Sequence, residues 1–96
     1  MILKMYSIYD NAAKTFNKCM FFSQDGEALR ALIQEVNRED SMLCKHPEDY
    51  TMFRLGMMDT DNGEIIPETP EKIAFALEYK EGSLRKDKSV KSKEVK

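Results

Sequence analysis

The stretch from His46 to Gly63, HPEDYTMFRLGMMDTDNG, leaves this chain little freedom in what it can become. Pro47 fixes its own φ and keeps His46 out of the helical region, so His46-Pro47-Glu48-Asp49-Tyr50 is a turn. Residues Thr51 to Met58 alternate, with Thr51, Phe53, Leu55 and Met57 sharing one side of an extended chain. Asp59-Thr60-Asp61-Asn62-Gly63 supplies residue types that tolerate positive φ, and Ile65-Ile66 restarts an apolar run. This is the pattern of a β-hairpin with a loop of a few residues, so the fold must contain antiparallel sheet.

The rest of the chain extends that sheet. Ile2 to Asp10 is β-branched and aromatic, with apolar groups at both odd and even positions, as in a central strand with both faces partly covered. Asp10-Asn11 is a turn, and Thr15 to Phe22 reads as an irregular second strand. Ser23 or Asp25 is positioned to cap a helix running from about residue 25 to residue 38. Asp25 and Glu27 suit its first turn, and Ala28, Leu29, Leu32, Ile33 and Val36 form a buried stripe. A polar loop follows, with a short turn at Ser41 to Cys44. The hairpin occupies Thr51 to Met58 and Glu64 to Pro67. Thr69 and Pro70 then offer an N-cap and a first helical residue for a short C-terminal helix, with a short strand as the competing reading.

The expectation is an α+β domain over residues 1–80. About four strands in two hairpins pack on one main helix, with a short C-terminal helix and a disordered, flexible Lys-rich tail over 81–96. One helix covers only one face of such a sheet. The second face is left to stack bases or to meet a second copy of the chain.

Charge divides the chain in two. Residues 1–79 hold eight Lys/Arg against fourteen Asp/Glu, a net of −6, whereas residues 80–96 hold seven against three, a net of +4. A basic tail on an acidic body suits electrostatic capture of a polyanion, although such a tail is also simply well solvated. No apolar run approaches the ~20 residues of a membrane span. The N-terminal segment lacks the apolar core and cleavage site of a secretory signal. Cys19 and Cys44, without metal-ligand spacing, read as free thiols in a reducing cytoplasm, with one disulfide as the alternative.

Catalytic chemistry finds little purchase. His46 is the single histidine, and a dyad with Cys44 or Cys19 would need closeness that spacing does not supply. His46, Glu48 and Asp49 read instead as residues that fix the hairpin entry by bonding backbone amides. Asp59-x-Asp61-x-Gly63 falls short of a calcium loop, because Gly is fifth, Glu64 sixth and Pro70 twelfth. No cofactor, metal or enzyme activity is expected. Aromatic residues are the better candidates, with Tyr6 and Tyr9 foremost because a hydroxyl tolerates a wet sheet face. Lys4, Lys14, Lys18 and Arg54 lie near the same strands, and Arg85, Lys86 and Lys88 lie in the tail.

A family resemblance accompanies these features. Tyr9-Asp10, Phe16-Asn17, Ala28-Leu29-Arg30, His46-Pro47-Glu48-Asp49-Tyr50, Leu55-Gly56 and Asp59-x-Asp61-Asn62-Gly63 occur in that order over roughly Leu3 to Leu77. The set resembles the small non-structural protein of gokushoviruses, single-stranded DNA phages of the Microviridae. The resemblance implies single-stranded DNA binding, in genome replication or its switch to packaging, in the host bacterial cytoplasm. A homodimer with no membrane contact is expected. The alternative is an adaptor linking phage replication proteins to the procapsid, with little direct affinity for DNA. No catalytic residues come with the resemblance.

Overall fold

A computed structural model describes residues 1–81. The chain forms five antiparallel strands in four lanes. These are β1 (Ile2–Asp10), β2 (Thr15–Phe16), β3 (Met20–Phe22), β4 (Tyr50–Asp59) and β5 (Ile65–Phe75). β1 and β4 are central. β2 and β3 share one edge of β1, and β5 forms the other edge of the sheet. The helix α1 (Asp25–Val36) lies on one face, and the short helix α2 (Met42–Lys45) follows it. One-turn 3-10 helices at Pro47–Asp49 and Ala76–Tyr79 precede β4 and follow β5. The α+β architecture is the one expected from the sequence. The tail residues lie outside the described part of the chain.

Alternation along β1 sorts the sheet into two faces. Tyr6 and Ile8 point beneath α1 and are buried with Ala28, Leu32, Val36, Leu43, Tyr50, Met52, Ala74 and Ala76 in the single core. The helical stripe therefore packs as its spacing dictates, with Leu32 only 2 % exposed. The helix stops at Val36, two residues short of the expected end, because Asn37 leaves the helix to bind elsewhere. Its side-chain amide donates to the Ile33 and Tyr79 carbonyls, and its oxygen accepts the Glu81 amide. Asn37 thus ties the C-terminal turn to α1.

Three local readings change. The helix N-cap is Gln24, without a side-chain bond, and neither Ser23 nor Asp25 takes that role. Ser23 instead donates its hydroxyl and amide to Glu27, and Asp25 turns toward the sheet. The span Thr15 to Phe22 is two short strands, interrupted at Asn17, Lys18 and Cys19, where the buried Ser7 hydroxyl donates to the Asn17 carbonyl.

The third change is the largest. Thr69 and Pro70 do not start a helix: β5 runs on for 11 residues, from Ile65 to Phe75, and the helical turn begins only at Ala76. Both prolines are tolerated because β5 is an edge strand, where a missing N–H need not break a ladder. The strand also bulges. Gly56 pairs with Pro67 and Arg54 with Glu71, so Leu55 alone faces Glu68, Thr69 and Pro70.

The hairpin tip forms as its composition requires. The Gly63 amide donates to the Asp59 carbonyl, and Gly63 has φ +78, a conformation costly for any residue with a Cβ. The Asp59 and Asn62 side chains accept the amides of Asp61 and Glu64.

Candidate nucleic-acid interface

The face of the sheet away from α1 is built by the residues that alternate with the core. From β1 it takes Leu3, Met5, Ser7 and Tyr9, and Tyr9 pairs with Phe16 of β2 while Met5 pairs with Phe21 of β3. From β4 it takes Thr51 and Phe53, with Gly56 and Met58 beyond the bulge. From β5 it takes Lys72, opposite Phe53, and Phe75, opposite Thr51.

Tyr9, Phe16 and Phe53 form a mutual edge-to-face cluster. Ring centroids are 4.9 Å apart for Tyr9 and Phe16, 5.7 Å for Phe16 and Phe53, and 6.4 Å for Tyr9 and Phe53. Such contacts hold the rings in fixed orientations and leave part of each accessible. Phe16 is 39 % exposed and Phe21 38 %. Phe75 supplies a fourth ring on the fourth lane, with the Lys72 ammonium 5.8 Å from its centroid.

The charge on this face contradicts the charge of the body. Residues 1–81 contain fifteen Asp and Glu, yet none occupies a registered position on the open face. Asp10, Asp59 and Glu71 fall on the helix side through their partners Tyr50, Ile2 and Arg54. The remaining carboxylates lie in α1, the turns, the hairpin tip and the β5 bulge. Lys72 is the charged group at a paired position on this face. Lys14 stands in the exposed turn beside Tyr9 and Phe16, with φ 60, and Lys18 is exposed on the β2–β3 edge.

Not every residue singled out from the sequence reaches this surface. Tyr6 is fully buried on the opposite face, where its hydroxyl donates to Asp25 and its ring meets Phe22. It has no surface to offer a base. Sequence reasoning ranked it with Tyr9 because both faces of β1 carry apolar groups, and alternation alone does not say which face the helix covers. Lys4 also lies on the helix side, in the row of Met57 and Phe22. Arg54 is engaged by three carboxylates: Asp25 at 2.9 Å, Glu68 at 3.4 Å, and Glu71. It is a structural hub joining α1, β4 and β5, with no free edge for phosphate. Arg85, Lys86 and Lys88 lie outside the described residues. Lys72 is not among the residues the sequence singles out, because a helical reading from Thr69 onward hides its place on a strand.

The Arg54 hub sets the local proton affinities. Asp25 is held below the usual carboxylate range, first by the Tyr6 hydroxyl and then by Arg54, against the opposing effect of burial. Tyr6 is pushed well above the ordinary phenol value by burial and by its bond to that carboxylate.

Two other features stand beside the aromatic face. A 740 Å³ groove opens between α1, α2 and the β2–β3 edge, with Ile8, Met20, Leu32, Leu43 and Met52 among its walls, and Phe16 and Lys18 line it too, so Lys18 belongs to the helix side. His46, Glu48 and Asp49 bring one potential ligand atom each to within 4.8 Å of one another, on a solvent-facing turn. The backbone already explains that turn, since the Asp49 amide donates to His46 and the Asp49 carbonyl accepts from Asn11. Among the described residues, no helix is long and apolar enough to cross a membrane.

Comparison with known proteins supplies the family. The model of the phage ORF5 protein family matches residues 3–79, nearly the whole described chain, and the protein belongs to that family. No curated protein and no solved structure matches it.

Proposed function

We propose that this phage protein binds single-stranded DNA without enzymatic activity and without reading sequence, in genome replication or packaging in the host cytoplasm. The observation that carries the reading is the acid-free aromatic face on an otherwise acidic body. A polyanion approaching elsewhere meets carboxylates, whereas here it meets the rings of Tyr9, Phe16 and Phe53, with Lys14 in the adjoining turn and Lys72 on β5. Every base has a π-face, so stacking on fixed rings gives affinity that tolerates any sequence but needs unpaired bases. The resemblance of the ordered motifs to gokushovirus non-structural proteins supports the same reading, and membership of a phage family is consistent with it.

A second reading rests on one observation. The part of the face formed by Leu3, Met5 and Met58 is as depleted of charge as the core of a protein interface. A second copy, or a phage replication or procapsid protein, would cover it.

Anisotropy of labelled single-stranded and duplex DNA, at two salt concentrations, separates the two. Preference for single strands that falls on Phe53→Ala supports DNA binding. Absence of binding at low salt, with a dimer seen by light scattering, favours the protein partner.

A further inference from the structure

Resting on the single-stranded DNA reading, we propose that the strand crosses the sheet at about right angles to its β-strands. It enters over Phe16 of β2 and leaves over the Phe75–Lys72 pair of β5. The direction follows from what each path meets. Along the β-strands the open face offers one ring per strand: Tyr9 after Leu3, Met5 and Ser7 on β1, and Phe53 beside Thr51, Gly56 and Met58 on β4. A DNA strand running that way finds a single platform for a base. Across the β-strands it finds a ring on every lane, with Lys72 on the last.

The rings follow the same line. Each lane contributes one aromatic: Phe16 on β2, Tyr9 on β1, Phe53 on β4 and Phe75 on β5. Four lanes about 4.8 Å apart span about 14 Å. Stacked nucleotides advance about 3.4 Å each along one strand, so the crossing holds about four nucleotides per protomer. A path along the nine residues of β1 would instead cover about 30 Å, or about nine nucleotides. Lys72 and Phe75 therefore form a binding pair at the exit. The ammonium neutralises a phosphate while the ring takes the last base.

The test is a stoichiometric titration of the full chain with dT20 at low salt, repeated with Lys72→Gln, Phe75→Ala and Phe75→Leu. Saturation at about five protomers per dT20 is expected. Lys72→Gln should weaken binding at least fivefold and lower the salt slope by about one. Phe75→Ala and Phe75→Leu should both weaken binding without lowering that slope, and the leucine keeps an apolar side chain should alanine unsettle the fold. Saturation at about two protomers, or unchanged affinity in the Lys72 and Phe75 variants, overturns the crossing path but leaves DNA binding in place. Failure of the unaltered chain to bind dT20 at all overturns the DNA reading itself.

Discussion

At the scale of single residues, two glycines and one tyrosine carry consequences that substitution would expose. Gly56 is buried where β4 meets β5, and a Cβ there would press into the Ile66 backbone carbonyl. Backbone cannot rotate away as a side chain can, so Gly56→Ala should destabilise by about 1–3 kcal/mol. Gly63 has open space around it, and its constraint is the positive φ alone. Gly63→Val should cost about 1 kcal/mol or more. Urea midpoints of the two variants check both figures. Tyr6 and Asp25 make a pH-dependent pair. A carboxylate whose folded pKa is depressed contributes stability above its unfolded pKa of about 4, and that contribution is lost as pH falls through the folded value. Tyr6→Phe removes the first cause of the Asp25 depression. Its melting temperature should therefore fall less steeply below pH 4 than that of the unaltered protein. Parallel acid profiles would show that the hydroxyl does not hold the carboxylate.

At the scale of elements, what the sequence revealed depended on whether a signal had one structural meaning or two. The α1 stripe had one: apolar residues at helical spacing bury one side, and Leu32 sits at the centre of the core. Leu32→Ala should cost about 2–5 kcal/mol, read as a lowered urea midpoint. An unshifted midpoint would mean the 740 Å³ groove beside it lets the site relax. The Thr69-Pro70 signal had two meanings. Proline after threonine marks the first turn of a helix, and proline also sits on edge strands. Lane order decides between them, and lane order is a long-range property that no local window contains. β5 uses its prolines and bulge to blunt an otherwise open edge against pairing with other chains. The helix N-cap failed for a related reason. Asp25 has good capping chemistry, but the buried Tyr6 hydroxyl and Arg54 compete for it and win.

At the scale of the whole molecule, the candidate site was half legible. The sequence shows that a one-helix sheet keeps an open face and that Tyr6 and Tyr9 lie on opposite sides of β1, without showing which of the two the helix covers. It does not show that the acidic residues are sorted away from that face, because sorting follows from register and bulges. On the proposed DNA reading, the body and the basic residues 80–96 would be separate sources of affinity: rings on the sheet would give selectivity, and the +4 segment nonspecific attraction. Removing residues 83–96 should weaken DNA binding and flatten its dependence on salt, since fewer counterions are released. Preference for single-stranded over duplex DNA should survive, because it rests on stacking with unpaired bases. Tyr9→Ala and Phe53→Ala should do the reverse, eroding the preference while the salt slope stays intact. Tyr6→Ala serves as the contrasting variant. Its ring is inaccessible, so it should lower stability, whereas Tyr6→Phe should leave DNA preference unchanged. Equal loss of preference on truncating the tail and on removing the rings would mean one undivided electrostatic surface. The acid-free face would then be the seat of a protein contact.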